Sequence, residues 1–451
     1  MKLTRRRFLA ASAAAVAAAT TGAAGSATTT ATGATTTASP AVLGADSKKK
    51  YRTALIGCGW WGNNIRNAAM KSGAIELVAL CDVDRRQLER TLDRQKEMTD
   101  VVPKTFGDYR EMLKEIKPDI VINATPDHWH ALTTIAACEA GAHVYVEKPI
   151  SHTMNEGLPM IKAARDAKRV VQVGMHRRTA PHHISAMEFL KSGKVGKIGS
   201  IKAFVNYPWL PQSTPDEPVP EGLDWDFFCG PSKLVPYNPR MHPGGYRHFS
   251  EFSNGQISDW GTHWLDQVLW WAGDNVHPTA ICSIGGRRIF DDNTTIPDSM
   301  QVVYKFDTFD LTWENRNYAG NPQERHNVGL YFYGSEGVLH LGWLDGWSFY
   351  PRGDFQVEPT EHVESVLDMP DYQNIANLWD DFIKSIETNR LPICDIEIGH
   401  NATALALLAI LSQKLGRGIV WDGEKQTIPN DPEACKLLSR DYRSPWQYPT
   451  I

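Results

Sequence analysis

Three groups of residues have the types and spacing to do chemistry together. Gly57-Cys58-Gly59-Trp60-Trp61-Gly62 is a turn of the GxGxxG pattern. Its first glycine permits a tight turn, its second lets a pyrophosphate approach the backbone, and its third lets helix and strand pack closely. The phosphates would meet unpaired N–H groups at the helix N-terminus. Asp82, 25 positions after Gly57, offers a carboxylate to the ribose hydroxyls of an adenosine and repels a 2′-phosphate. That favours NAD, while Arg85 and Arg86 keep NADP open. Lys148, in Glu147-Lys148-Pro149, can hydrogen-bond a reacting oxygen and lower its pKa. Asp259 and His263 are four apart, which on a helix puts both on one face. His263 has a suitable unperturbed pKa for taking a proton near neutrality. Asp259 would orient it, or bind the substrate and Lys148 directly; spacing leaves both as candidate bases. The chemistry these groups permit is hydride transfer from a secondary alcohol, with a base for the hydroxyl proton and a cation for the alkoxide.

The elements that must position them alternate between strand and helix. Tyr51 to Ile56 reads as a strand, followed after the glycine turn by a helix to about Lys71. Glu76 to Cys81 is a second strand, ending at Asp82, and Asp119 to Asn123 a third. Residues 128–140 read as a helix stopped by Gly141, then His143 to Val146 and Val170 to Val173 as strands. Short apolar strands separated by helices imply a parallel sheet covered on both faces. Lys148 falls just past a strand end, where ligands gather in such sheets, and Pro149 fixes the chain direction there. Further on, Gly199 to Tyr207, Thr279 to Ser283, Met300 to Phe306, Leu311 to Asn315 and Val328 to Tyr333 read as strands. Asn374 to Ile386 and His400 to Leu415 read as helices. We divide the chain into a leader and linker (1–46), a dinucleotide-binding domain (47–172) and a substrate and oligomerisation domain (173–451).

Thr125-Pro126-Asp127-His128-Trp129-His130 lies upstream of Glu147-Lys148-Pro149, and Asp259-Trp-Gly-Thr-His263-Trp-Leu-Asp266 downstream. Gly416-Arg417-Gly-Ile-Val-Trp421 follows the long apolar helix. With the glycine turn, these motifs resemble the Gfo/Idh/MocA family of NAD(P)-dependent sugar and polyol oxidoreductases over roughly residues 50–425. The resemblance implies an α/β Rossmann domain and an α+β domain with a large open, mostly antiparallel sheet. C-terminal helices would pack near the Rossmann domain, and the sheet face would make a homo-oligomer. It implies that Lys148, Asp259 and His263 carry the proton chemistry. Gly57, Gly59, Trp60, Trp61, Gly62 and Asp82 would hold the cofactor, with Thr125, Pro126, His130, Glu147 and Lys148 bordering it. It also implies a cis peptide before Pro149. His176 and Arg177 are candidate substrate contacts, and Trp209, in a Pro-rich stretch, could stack on the C–H face of a sugar. The Asp127-to-His130 run invites a metal reading, but there is no Cys cluster and no HExxH, so no metal is assigned.

The 451 residues carry 47 Lys plus Arg against 52 Asp plus Glu, a net charge of −5 that argues against nucleic acid as partner. After the first residues no apolar run reaches the roughly 18 needed to span a bilayer; Ala402 to Leu411 reads as a buried helix. Thr4-Arg5-Arg6-x-Phe8-Leu9 and the Ala- and Thr-rich stretch behind it resemble a twin-arginine signal. The expectation is export by that machinery to the periplasm or beyond, with the cofactor tightly bound beforehand. Without a free NAD pool, a reduced cofactor must be reoxidised on site. That raises a redox-neutral alternative: glycoside hydrolysis or elimination through a transient keto-sugar, or transfer between two sugars. A binding protein on a retired scaffold is the third reading, against which the intact Lys148, Asp259 and His263 speak. The seven cysteines show no disulfide framework, and Cys58 and Cys81 read as buried thiols.

Overall fold

The computed structural model describes residues 50–208, 213–320, 325–353, 358–366 and 370–451. The leader and Trp209 lie outside the described residues.

Six short strands make the first sheet: β1 (Tyr51–Ile56), β2 (Ile75–Cys81), β3 (Lys104–Phe106), β4 (Ile120–Asn123), β5 (His143–Val146) and β6 (Val171–Val173). Their order is β3-β2-β1-β4-β5-β6 and every pair is parallel. β4 and β6 are buried at every position, which is why they read as continuous apolar runs rather than alternating ones. The crossovers are α1 (Trp60–Lys71), α2 (Arg85–Lys96), α3 (Tyr109–Ile116), α4 (His130–Glu139) and α5 (Met154–Asp166). Asp84 and Asp108 cap α2 and α3, accepting from Arg86 N and Arg110 N. The helix expected from residue 128 starts at His130, because Asp127–Trp129 forms a 3₁₀ turn first. Strand order reverses between β1 and β4, opening a crevice beyond the carboxyl ends of the strands. Gly57 leaves β1 on that side and Glu147-Lys148 leaves β5 there.

The 3₁₀ turn His176–Thr179 and α6 (Pro181–Lys191) lead into a second, nine-stranded sheet. It begins with β7 (Ile198–Val205) and, after α7 (Trp225–Cys229), a π turn at Ile257–Gly261 and α8 (Thr262–Ala272), continues with β8 (Ala280–Gly286), β9 (Ser299–Lys305) and β10 (Asp310–Arg316). β11 (Val328–Gly334), β12 (Gly337–Leu341), β13 (Trp347–Pro351), β14 (Glu361–Val363) and β15 (Ile419–Val420) complete it. The order is β14-β13-β12-β11-β7-β10-β9-β8-β15; β7 and β10 pair in parallel, the other neighbours antiparallel.

β9 and β10 alternate strictly, burying Met300, Val302, Tyr304, Leu311 and Trp313 on one face. After α9 (Pro370–Thr388), α10 (Ile396–Leu415) lies on that face. Its Ala- and Leu-rich surface is buried almost all round, because it is held on both sides. The Tyr304 hydroxyl donates to Leu405 O, and the Thr403 hydroxyl accepts from Ile150 N beside the first sheet. Past the short α11 (Pro432–Lys436), the chain returns to the Rossmann half. Arg440 and the Tyr442 hydroxyl donate to Glu156 of α5, and Trp446 packs edge-on against Trp129 at 4.7 Å. All seven cysteines are free thiols, with Cys58 and Cys81 buried.

Candidate active site

The glycine turn and the end of β2 shape one cavity. It is lined by Gly57, Gly59, Gly62, Asp82, Thr125 and Pro126, among others. No side chain caps α1, whose N-cap is Gly59, so its first-turn N–H groups are left for a ligand. Gly57 has φ +92°, and a Cβ on Gly62 would stand 2.0 Å from Gly57 O, so close helix–strand approach requires a glycine there. Asp82 accepts from Cys58 N at 2.7 Å and Asp84 N at 2.8 Å, which fixes its carboxylate at the wall of this cavity. These residues fit a dinucleotide. A Gly62→Ala chain is expected to lose nucleotide binding by at least tenfold, read from quenching of tryptophan fluorescence by NADH; unchanged binding would break this assignment of the turn.

A second cavity adjoins the first, and Trp60, Trp61, Ala124, Thr125, Tyr246 and Arg247 line both. Lys148 and Asp259 meet here. The ammonium donates to Asp259 Oδ1 at 2.6 Å and to Asp259 O at 2.8 Å, and the peptide before Pro149 is cis. Arg247 Nε lies 3.5 Å from the same carboxylate oxygen. Burial alone would raise the Asp259 pKa, but Lys148 and Arg247 outweigh it and hold the group at about 2. His263 lines the same cavity, packed at 5.1 Å from His176 and 5.2 Å from Trp343. Burial, with Lys148 next in effect, keeps its imidazole neutral, and its Nδ1 has no hydrogen-bond partner among the described residues.

Asp259 sits in a π turn that runs directly into α8, which carries His263, and both side chains line this cavity. The Asp259 carboxylate serves Lys148 and Arg247 rather than the imidazole.

Glu147 is buried behind Lys148. Burial pushes its carboxyl up to about 7, against the opposing pull of Lys148 and a hydrogen bond from Trp61. Between about 4.5, its ordinary value, and 7 the folded chain keeps this proton while the unfolded chain has released it. The group's contribution to stability is therefore full below that window and is lost as pH rises through it, by up to about 3 kcal/mol. Nucleotide-free Glu147→Gln protein should lose correspondingly less stability than wild type between pH 5 and 7.5 in urea unfolding. Parallel pH dependences would contradict the shift.

His130 borders the second cavity, but both ring nitrogens are occupied by carbonyls: Nδ1 by Pro149 O at 2.6 Å and Nε2 by Thr125 O at 2.8 Å. It holds the two cofactor-side loops together. Arg177 does not line the cavity. Its guanidinium lies 3.2 Å over the Trp343 ring and donates to Trp343 O and Asp371 Oδ1, so it braces the wall from behind. His176 does line it. Asp127 and His128 are turned inward, Asp127 accepting from the Ser253 hydroxyl and His128 Nε2 lying 2.9 Å from Phe228 O. Sequence reasoning missed Tyr246, Arg247, Trp260, Trp343 and Asp371. His242-Pro243-Gly244-Gly245 before Tyr246 and Arg247 was a legible loop signal; Trp343 and Asp371 sit in no motif.

The fold and the paired cavities define a class: a dinucleotide-binding oxidoreductase with a lysine–aspartate pair at the carboxyl end of β5. Residues 51–175 match the NAD-binding Rossmann fold of an oxidoreductase family, and residues 199–319 and 338–448 match its C-terminal alpha/beta domain. The chain belongs to the Gfo/Idh/MocA oxidoreductase family, and its first domain binds NAD. It is 26% identical to an inositol 2-dehydrogenase of Salmonella typhimurium over 148 residues, 32% of this chain and 43% of that protein. The match thus spans under half of that relative's length. A D-glucoside 3-dehydrogenase of Escherichia coli is 24% identical over 297 residues, 63% of this chain and 75% of that protein. The solved structure of a levoglucosan dehydrogenase in complex with NADH and levoglucosan superposes with a TM-score of 0.65 at 17% identity, covering 82% of this chain and 99% of that one. It shows the shared fold.

Proposed function

We propose that this protein oxidises a secondary alcohol of a sugar or polyol to the ketone, or reduces such a ketone to the alcohol. The observation that carries the reading is the position of Lys148 in a cavity that shares a wall with the dinucleotide cleft. Two of the ammonium's three N–H donors are spent on Asp259. The third is free for the reacting oxygen, where it stabilises an alkoxide. Bound NAD supplies the hydride acceptor. Asp259, held at about 2 and engaged by Lys148 and Arg247, is a poor base. His263, kept neutral by burial and Lys148, is placed to accept a hydrogen bond from the substrate hydroxyl. Trp60, Trp61, Trp260 and Trp343 surround the space with aromatic surface suited to sugar C–H faces.

The twin-arginine-like leader supports export with the cofactor already held. The exposed Ile284, Val303 and Tyr333 on the outer face of the second sheet support a homo-oligomer. The relative that acts at carbon 3 of a glucoside gives weight to a second reading, in which the keto-sugar is transient and the net reaction is glycoside cleavage.

The test is to purify the protein without added nucleotide, denature it and identify what is released by mass spectrometry. One equivalent of NAD supports a tightly held cofactor. Sugars and polyols are then screened for NADH formation, and chromogenic glycosides for release without added NAD. Signal in the first screen supports the dehydrogenase and signal in the second alone the redox-neutral route. Silence in both, with NAD bound, would end the proposal.

A further inference from the structure

Three side chains from separate stretches converge outside the reaction cavity. His326 lies in the loop entering β11, His340 in β12, and Asp345 in the turn between β12 and β13. Each offers one ligand atom, and these atoms all lie within 4.8 Å of one another. His326 Nδ1 is 2.9 Å from Asp345 Oδ2, and the two imidazole rings face each other at 3.5 Å with 20° between their planes. The Nε2 atoms of both histidines are buried without a hydrogen-bond partner among the described residues. A buried polar atom left in that state costs about 1–3 kcal/mol, and here two occur side by side. Gly329 of β11 lies against the His340 ring, and a Cβ there would stand 2.9 Å from Nε2. The Asp345 side chain is half exposed, giving a hydrated ion a way in.

We propose that His326, His340 and Asp345 bind a divalent transition-metal cation of the zinc type, with solvent completing its shell. Two imidazoles and a carboxylate form a ligand set that zinc favours, whereas magnesium and calcium prefer oxygen alone. Ligand atoms of a tetrahedral shell with bonds near 2.0–2.1 Å lie about 3.3 Å apart. Closure therefore needs the stacked rings to turn about their Cβ–Cγ bonds, moving ligand atoms by about an ångström or two. The turn that carries Asp345 also carries Trp343, whose ring packs on His263. The ion would anchor that turn from its solvent side, while Arg177 holds Trp343 from within. A resident cation is thus a positioning device for the wall of the reaction cavity.

The experiment uses the full chain, freed of metal by chelator and dialysis. Zn²⁺ is titrated calorimetrically, and Co²⁺ is followed by its visible absorption. The expected result is one Zn²⁺ per chain, a Co²⁺ spectrum of four-coordinate nitrogen and oxygen ligation, and a rise in Tm on zinc addition. His340→Ala and Asp345→Asn should each weaken zinc by at least tenfold and abolish the rise. Asp345→Asn, at a half-exposed position, guards against a His340→Ala chain that fails to fold. No zinc bound by wild type, or equal affinity in wild type and Asp345→Asn, overturns the site. Neither result bears on the dehydrogenase reading, which rests on Lys148.

Discussion

A Lys148→Met chain is expected to turn over at least about a thousandfold more slowly than wild type, with NADH affinity changed by no more than a few fold. Methionine keeps the length and apolar stem of lysine and removes only the charge and the donors. Lys148 Nζ is the group that can donate to the reacting oxygen, and general acid–base and electrostatic contributions of this kind are worth roughly 10²–10⁴ in rate each. The dinucleotide cleft is built by the glycine turn, Asp82 and Thr125, none of which depends on that charge. Asp259 loses its nearest cation and keeps Arg247 at 3.5 Å, so its pKa should rise from about 2. The measurement is kcat on the substrate the screen yields, beside fluorescence titration with NADH. A kcat within tenfold of wild type would remove Lys148 from the chemistry; lost NADH binding would make it a structural residue instead.

An Arg178→Met chain should be destabilised by about 3–5 kcal/mol. Arg178 and Asp266 are 2% and 1% exposed, and Nε and Nη2 of the arginine donate to the carboxylate at 2.8–3.0 Å. Asp274 takes a further hydrogen bond at 2.6 Å. Removing one partner strands a charge in the interior, which is the costly way to break a buried pair. The pair also joins the turn that carries His176 to the helix that carries His263. Urea unfolding of Arg178→Met, Asp266→Leu and the double variant separates these effects. The double variant should recover much of the loss, since it buries no lone charge. A single variant as stable as wild type would mean that the pair is solvated.

The Rossmann half was legible because its signals are local. Tyr51 to Ile56, the glycine turn and the helix to Lys71 are contiguous, and the structure places β1 and α1 within those limits. Glu147-Lys148-Pro149 falls at the carboxyl end of β5 for the same reason. Asp259 and His263 were legible as a pair, but nothing in residues 257–263 announces the π turn that carries Asp259. Arg177 has the chemistry of a substrate contact, yet Trp343 and Asp371, more than 160 positions on, take its guanidinium. β12 to β15 gave no strand signal strong enough to read, and so Trp343, in the turn after β12, could not be placed against the site.

The tail of the chain has a consequence for biosynthesis. Residues 440–446 brace Glu156 and Trp129, and Trp129 lines the dinucleotide cavity. α10 lies against the first sheet at Ile150. A ribosome emits β1 to β6 long before it makes either element, so the nascent chain carries a Rossmann sheet with an uncovered flank and an unbraced pocket. Domains usually mature in the order of synthesis; this one must wait for elements made well after it. A chain cut before about residue 440 should therefore be poor at retaining nucleotide even though every glycine-turn residue is present.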